Sequence, residues 1–396
     1  MRGGLTPEEA AFRDEARRFF AEDYPADIIR KLDGGEDMRK DDLSRSQKAI
    51  HRRGWSGGTW PVEHGGHGWS PMQAHIFQRE MERAGAPYLM LHVQERMIAP
   101  VIYTFGDAGQ RQRFLPATRT GDILWCQGYS EPDAGSDLAR LSTQAIRDGD
   151  CYRVTGTKVW TTIAHEADWI FCLVRTDPAA KSQDGISFLL IDLASPGITI
   201  TPIITLDGGH EVNQVRFDDV RVPIENRIGD EGMGWTYAKL LLAQERSGIA
   251  AVAASRRKLT ALRAIAADTV VDGRRLIEQD AFRRKLAEVE IELLALATTE
   301  ERGIAETTAN GAASSILKLK GVEIQQRLSE LFLEAAGPYA GLEVPGQSRL
   351  DQHDRPAGRA FAGLATRQYL NLRKTSLYGG TTEIQKNIVA KAVLGL

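Results

Sequence analysis

The chain of 396 residues is 42% hydrophobic and 26% charged, which is typical of a globular protein with two or three domains. A formal net charge of −3 argues against a nucleic-acid-binding surface. We find no apolar run of about eighteen residues, the length a transmembrane helix needs, and the charged start lacks a signal-peptide pattern. The missing apolar run predicts no membrane partner. Three cysteines without C-x-x-C spacing predict a reduced, cytoplasmic location.

Residues 1–122 are predicted to form a helical N-terminal domain. Its start, "TPEE", combines a capping threonine at Thr6 with a first-turn proline and two acids that favour a helix N-terminus. His64 and His67 lie three residues apart, but no nearby side chain completes a ligand set, so no metal site is predicted.

Residues 123–230 consist of short β-branched and aromatic runs, such as "DWIFCLVRTD", separated by glycine, aspartate and proline. This pattern predicts a β-sandwich or barrel as the middle domain. Residues 231–396 return to helices with apolar faces and predict a C-terminal four-helix bundle. The helices are predicted in outline at 234–266, 275–309, 313–336 and 360–396. The fold class is therefore multidomain α+β.

A polar loop, "WCQGYSEPDAGSDLARL" at residues 125–141, joins the first two domains. It offers backbone N–H groups and hydroxyls with little side-chain bulk, which suits a polar heterocycle with several acceptors. An ordinary polar connector has the same composition.

The segment "GTKVWTTI" places Trp160 and Thr162 two residues apart on a predicted strand, and therefore on one side of it. A tryptophan beside a hydroxyl could cover a planar ring and hydrogen-bond its edge. The alternative is a tryptophan that fills the sandwich core.

The segment "GWTYAKLLLAQERSGIAAVAAS" has a helical apolar stripe, and Glu245 falls within it. A carboxyl group on a buried face has its pKa raised by desolvation, which proton abstraction near neutral pH requires. Arg246 projects about 100° around the helix and could pair elsewhere. The apolar periodicity by itself fits an alternative equally well, in which Glu245 forms a structural ion pair with another helix of the bundle. The stripe consists of Ala238, Leu241, Leu242, Ile249 and Val252.

Near the C-terminus, "SLYGGTTEIQ" at residues 376–385 precedes a predicted helix with the apolar stripe Ile384, Ile388, Val389 and Val393. Two glycines and two threonines before a helix offer N–H groups and hydroxyls to a negatively charged ligand group.

Four segments together resemble the acyl-CoA dehydrogenase family: "YSEPDAGSDLA", "GTKVWTT", "QERSGIA" and "LYGGTTEIQKNIVAKAVLGL". They occur in the family's order and spacing over essentially the whole chain. The resemblance implies the three-domain fold above with FAD between the domains. It also implies an acyl-CoA substrate and an electron-transferring flavoprotein as electron acceptor. The cofactor-binding residues that it implies are Gln127, Tyr129, Ser130, Gly135, Ser136, Trp160, Thr162, Thr381 and Glu383.

The sequence departs from the family at the catalytic base. Many members have Tyr-Glu-Gly-Thr where this chain reads Tyr-Gly-Gly-Thr, with Gly379 at the glutamate position. A minority carry the base on a bundle helix directly before an arginine, and "AQER" fits that arrangement. We therefore expect Glu245 to be the catalytic base, and Ser136, Arg246, Tyr378 and Gly379 to bind the substrate.

A second departure concerns assembly. Family homotetramers carry an Arg-x-x-Phe-Gly segment that reaches a neighbour's FAD, but Thr269 and Asp272 stand at those arginine and phenylalanine positions. The chain thereby resembles one subunit of a heteromeric dehydrogenase, most of all the large subunit of a pimeloyl-CoA dehydrogenase, with steroid side-chain dehydrogenases as the alternative. For assembly, the alternative is a homo-oligomer with an altered FAD contact. For function, two alternatives remain: a flavin oxidase or monooxygenase-like relative, and a non-catalytic partner subunit.

Overall fold

A computed structural model describes residues 4–88, 92–248, 250–305, 311–341 and 361–395, with the side chains of 242–248, 305 and 311 outside that description. In chain order, a helical segment precedes a β segment, and a second helical segment follows. The α, β, α architecture predicted from the sequence is therefore confirmed.

Among the described residues, the N-terminal segment contains six α-helices, and a π-helical turn at His92–Ile98 precedes the fifth. Three begin with capping boxes whose N-cap side chains accept a backbone hydrogen bond, among them Thr6 as predicted. The helices are α1 (Pro7–Arg18), α2 (Ala26–Asp33), α3 (Lys40–Arg52), α4 (Pro71–Ala84), α5 (Ala99–Phe105) and α6 (Ala108–Thr120).

The middle segment is one mixed, mainly antiparallel sheet. The strands are β1 (Trp125–Gly128), β2 (Gln144–Asp148), β3 (Cys151–Thr162), β4 (Trp169–Arg175), β5 (Ile186–Asp192), β6 (Ile198–Ile203), β7 (Val212–Pro223) and β8 (Arg227–Ile228). Their order is β6-β7-β3-β2-β4-β5-β8, with β1 parallel to β4. Strand β4 is buried on both faces: Phe171 and Leu173 join a core shared with the helices, whereas Ile170 and Cys172 join a core on the other face.

The C-terminal segment is helical and contains one small hairpin. The helices are α7 (Gly234–Gly248), α8 (Val252–Asp268), α9 (Asp280–Ala305), α10 (Gly311–Ala336), α11 (Ala362–Leu372) and α12 (Thr382–Val389). The hairpin pairs β9 (Val270–Val271) with β10 (Arg274–Arg275). Its turn residues, Asp272 and Gly273, both have positive φ. Asp-Gly between two short runs is the signal for such a turn, but the predicted elements did not include this hairpin.

The helix predicted at 234–266 is wrong as a single element. Helix α7 ends at Gly248, and Ala251 has a left-handed φ of 48° before α8 begins at Val252. At the break, the backbone of Ala250 lies close against Gly321 of α10. A Cβ on Gly321 would lie 2.5 Å from the carbonyl oxygen of Ala250. The predicted stripe therefore does not run continuously to Val252. Ala238 and Leu241 are buried as predicted.

Glu211 joins the sheet to the C-terminal helices. Its backbone carbonyl accepts a hydrogen bond from Ile163 N at 2.8 Å, and its carboxylate accepts one from Lys374 Nζ. Close by, Asn371 Nδ2 donates to Asp207 Oδ2 at 3.2 Å. These contacts bring the end of β3 and the segment before the C-terminal glycines to the same part of the molecule.

We predict that Gly321→Ala lowers the free energy of unfolding by about 1–3 kcal/mol, because the new methyl group must displace the Ala250 backbone. Gly303→Ala is the matched control: the same change in α9 meets no atom within 4 Å. It should leave stability unchanged or raise it by up to about 1 kcal/mol. Urea unfolding of the two variants measures both effects, and equal stability would contradict the close approach.

Candidate functional site

A buried ion pair holds the polar loop after β1. The ammonium of Lys158, fully buried in β3, donates to Glu131 Oε1 at 2.7 Å and to the Tyr129 carbonyl at 3.2 Å. The other Glu131 oxygen accepts from Ser142 N at 2.6 Å. The loop and the strand are also joined by their backbones, since Val159 N donates to Ser130 O at 2.9 Å.

Burial alone would raise the pKa of the Glu131 carboxyl, but the adjacent Lys158 ammonium and hydrogen bonds from Thr143 and Ser142 outweigh it and hold the pKa at about 2. Glu131 is therefore ionised at neutral pH. Our sequence analysis missed this pair. The signal available was a lysine within the apolar alternation of β3, where it needs a buried partner.

Trp160 stands out on the surface of β3. It is 59% exposed and has a φ of +59°, in a stretch where the pairing of β3 with β7 shifts register between Lys158 and Thr161. The interpretation of Trp160 as a core residue is therefore wrong. The alternation of exposed and buried side chains expected of a strand also stops at Trp160. Thr161 is buried and Thr162 is half-buried, so Thr162 does not share the exposure of Trp160.

The remaining predicted residues of the loop differ in exposure. Tyr129 is buried, Gln127 and Ser130 are half-buried, and Gly135 and Ser136 are exposed. A Cβ on Gly135 would meet no atom within 4 Å, so open space lies beside this backbone. Hydroxyl and backbone groups of the loop are therefore accessible to a ligand.

Three consecutive carbonyls of the C-terminal glycine loop face two buried side chains. The ammonium of Lys318, 2% exposed, donates to the carbonyls of Tyr378 and Gly380. The side-chain amide of Gln385, 1% exposed, donates to the Gly379 carbonyl at 3.0 Å and to that of Gly380 at 3.4 Å.

The orientation of these carbonyls also sets the orientation of the N–H groups. In a planar trans peptide, the C=O and the following N–H point in opposite directions, and the described residues contain no cis peptide bond. The N–H groups of Gly379, Gly380 and Thr381 therefore point away from Lys318 and Gln385. Gly379 and Gly380 have φ values of 62° and 85°, a conformation that favours glycine and suits a concave anion-binding backbone.

Helix α12 differs from the predicted apolar stripe. Its inward-facing residue is Gln385, whereas Ile384 is 36% exposed and Val393, in the π-helical turn that follows, is 58% exposed. Thr381 caps the helix by accepting from Ile384 N at 3.3 Å. Glu383 is exposed in the first turn, where its own backbone N–H and Thr381 lower the pKa of its carboxyl.

Lys318 and Gln385 were missed because their role depends on contacts between distant segments. A weak signal existed: Ser315, Lys318 and Val322 follow one another at helical spacing, and all three are buried on α10. A lysine in such a row needs a partner. Its partners are backbone carbonyls sixty residues or more along the chain, which no local pattern reveals.

Glu245 and Arg246 lie in the last turn of α7, and their side chains are outside the described residues. The helix itself is well placed: Ala238 and Leu241 belong to the core that includes Phe188 of β5, and Tyr237 packs on Phe105 with ring centroids 4.3 Å apart. Helix α7 therefore runs beside the sheet, with its C-terminal end toward Gly321 of α10.

Family models for the N-terminal, middle and C-terminal domains of acyl-CoA dehydrogenases match residues 6–122, 126–220 and 232–394. The matched ranges contain the loop after β1, Trp160, helix α7 and the C-terminal glycine loop in the order found here. The chain belongs to the acyl-CoA dehydrogenase family, whose members are FAD-dependent.

Several characterised relatives are similar over nearly the whole chain. Acyl-CoA dehydrogenase IpdE1 of Mycobacterium tuberculosis is 34% identical, and the match covers 97% of each chain. The ChsE4-ChsE5 complex of Mycobacterium tuberculosis superposes with a TM-score of 0.84 at 32% identity, covering 100% of this chain and 99% of the other. The Tcur3481-Tcur3483 steroid ACAD has a TM-score of 0.86 at 29% identity, with 100% and 99% covered.

The described residues contain no helix that could cross a membrane. Within the same residues, no group of three or more histidine, cysteine, aspartate or glutamate side chains could hold a metal ion. His64 instead stacks on Tyr103, with ring centroids 5.5 Å apart.

We predict that Lys158→Met destabilises the protein by about 3–5 kcal/mol, because it leaves Glu131 buried without its counter-ion. The double variant Lys158→Met/Glu131→Gln should recover part of that loss, and thermal unfolding of both measures it. In the unchanged protein, the pKa of Glu131 is about 2, below its value when unfolded. Its contribution to stability is thus present above about pH 4.3 and is lost as the pH falls toward 2. A double variant no more stable than Lys158→Met would contradict the pairing.

Proposed function

We propose that this protein catalyses the FAD-dependent α,β-dehydrogenation of an acyl-CoA thioester to the trans-2-enoyl-CoA. The observation that carries the proposal is the C-terminal glycine loop. Its carbonyls are held by Lys318 and Gln385, so its N–H groups face the opposite side. They can therefore meet a ligand's acceptor oxygens.

The residues present fit FAD on two counts. Trp160 exposes a large aromatic face from a strained backbone position, which supports stacking on a planar ring system. The loop containing Gly135 has open space beside its backbone. The N–H groups of the loop containing Gly380 point away from Lys318 and Gln385, and both arrangements suit a pyrophosphate. We assign the cofactor contacts to Gln127, Tyr129, Ser130, Gly135, Ser136, Trp160, Thr162, Thr381 and Glu383.

When bound, FAD supplies a two-electron acceptor for the hydride that leaves the β carbon. The carboxylate of Glu245 takes the proton from the α carbon, and the two C–H bonds are replaced by one C=C bond. The N–H of Gly379 donates a hydrogen bond to the thioester carbonyl, where negative charge develops as the proton leaves. Ser136, Arg246 and Tyr378 contribute to substrate binding.

Glycine at 379 is consistent with a base located elsewhere. Glycine adopts a φ of 62° with less strain than the glutamate that many family members carry at this position. A base on helix α7 approaches from a separate element. This separation leaves the glycine loop free to bind the carbonyl.

For the substrate, we propose a steroid-type acyl-CoA. The Tcur3481-Tcur3483 relative is described as a steroid ACAD, and none of the relatives named above is described as acting on pimeloyl-CoA. The steroid alternative therefore replaces the dicarboxylyl substrate as our preferred one.

We further propose that electrons pass to an electron-transferring flavoprotein. The three cysteines are buried and free, which suits a reducing cytoplasm.

We further propose that a second acyl-CoA dehydrogenase subunit joins this chain. Two of the relatives are described as two-component complexes. This chain exposes Ile291 and Leu294 on α9, and Val393 and Leu394 after α12, each more than half exposed. Such apolar surface on the bundle suits a partner subunit.

We predict that Glu245→Gln retains bound FAD but loses bleaching of the flavin by substrate. Because proton removal is the main chemical task of this residue, the rate should fall by more than the ~10²–10⁴ typical of assisting acid–base groups. Glu323→Gln is the control, an exposed glutamate of α10 in a surface ion pair with Lys320. Stopped-flow absorbance under anaerobic conditions measures both, and normal bleaching by Glu245→Gln would place the base elsewhere.

We predict that the chain expressed alone is poor in FAD and tends to self-associate, because its apolar bundle surface lacks a partner. Co-expression with an acyl-CoA dehydrogenase-like subunit should yield a yellow complex of defined mass. Size-exclusion chromatography with light scattering and flavin absorbance test this. A fully flavinylated, active homo-oligomer from the single chain would overturn the heteromer proposal.

A further inference from the structure

A cavity of about 250 Å³ lies where the N-terminal segment meets the start of α8. It is bordered on one side by the end of α4 and the residues that follow, and on the other by the first turns of α8. Its lining residues are Glu82, Gly85, Ala86, Tyr88, Ala251, Ala254, Arg257 and Lys258.

The cavity lies at the end of the helix that carries Glu245. Ala251 is six residues beyond Glu245, and α7 ends between them, at Gly248. The chain breaks at this point, with Ala251 in a left-handed conformation, so the cavity begins where the wall formed by α7 ends. A substrate whose α carbon lies at Glu245 can extend its far end in this direction.

Two of the charged groups in the lining already have partners. The Glu82 carboxylate accepts from Ala254 N at 3.1 Å and from Gln78 Nε2 at 2.8 Å. Arg257 donates to both oxygens of Asp33 at 2.6 Å. These contacts join α8 to the N-terminal segment.

Two other hydrogen-bond donors of the lining lack such a partner among the described residues. The buried hydroxyl of Tyr88 has no hydrogen-bond partner among the described residues. Among the residues that the structure describes, no acidic side chain lies within ion-pair distance of the Lys258 ammonium. Burial, and then the neighbouring Arg257, lowers the pKa of Lys258, and burial raises the pKa of Tyr88 to about 12, so the phenol keeps its proton at neutral pH.

Further buried polar groups continue from Tyr88. His92 packs against its ring with centroids 5.4 Å apart, and Gln94 is fully buried. In the described structure, His92 Nδ1 and both amide atoms of Gln94 also lack a hydrogen-bond partner. Buried polar groups are rarely left unpaired in a finished core, which points to a ligand that completes them.

We propose that this cavity binds the distal end of the acyl group, and that this end carries an acceptor oxygen, either a ketone or a carboxylate. The Tyr88 hydroxyl and the Lys258 ammonium donate to that oxygen and so determine specificity. This inference rests on the proposed acyl-CoA dehydrogenation, because it assigns the far end of the same substrate. A purely apolar chain end would leave both donors unpaired and is therefore bound more weakly.

The test compares matched acyl-CoA esters with the holo-complex. Octanoyl-CoA, its analogue with a ketone next to the terminal methyl group, and suberyl-CoA have the same chain length and differ only at the far end. A dodecanoyl set repeats the comparison at greater reach. Calorimetry gives the Kd of each ester, and anaerobic flavin bleaching gives kcat and KM.

An oxygenated ester should bind at least tenfold more tightly than its methyl-ended counterpart. Tyr88→Phe should remove most of the preference for the ketone, and Lys258→Met most of the preference for the carboxylate, by raising KM with kcat retained. For octanoyl-CoA, the KM of both variants should stay level or fall, because each variant removes a donor that the methyl end leaves unpaired. Lys320→Met, at a surface lysine, is the control and should retain the preference.

The possible results separate the two proposals. Flavin bleaching without any preference in the unchanged protein, or a preference that survives both variants, overturns the cavity assignment and leaves the reaction in place. A preference in Kd that the variants abolish, with no bleaching by any ester, supports the cavity assignment and overturns the reaction. Altered FAD content or far-ultraviolet circular dichroism in a variant marks a folding effect, in which case the Kd values of the unchanged protein alone decide.

Discussion

The candidate site depends on the direction of three peptide groups. Lys318 and Gln385 are both buried and donate to the carbonyls of residues 378–380. A buried ammonium without acceptors is very unfavourable, so the carbonyls cannot easily turn away. The planar peptide then directs the following N–H groups to the other side. The loop is thus oriented before any ligand arrives, as efficient electrostatic stabilisation requires.

A second buried lysine does the same for the other loop. Lys158 donates to the Tyr129 carbonyl and is neutralised by Glu131, whose second oxygen binds the backbone at Ser142. Both polar loops of the candidate site are therefore held from behind by an ammonium group inside the protein. This arrangement leaves their outer surfaces, rich in glycine, serine and threonine, available for binding.

The position proposed for the base is consistent with the same constraint. Gly379 has a φ of 62°, and the loop geometry that orients the N–H groups favours glycine there. The base proposed on helix α7 comes from a separate element, and the cavity lined by Tyr88 and Lys258 begins at Ala251, shortly after that helix ends. The proposed proton-accepting group, the proposed carbonyl-binding backbone and the proposed distal-oxygen site thus come from three separate elements.

The sequence by itself determined the order of the segments, the helix start at Thr6, the strand-rich middle and the family motifs, because capping residues, alternation and glycine spacing act over a few neighbouring residues. It did not reveal the break before Val252, the exposure of Trp160 or the inward turn of Gln385. Only the tertiary structure decided these features. Each depends on contacts between distant segments: Gly321 against Ala250, the shifted register of β3 and β7, and Lys318 beneath the C-terminal loop.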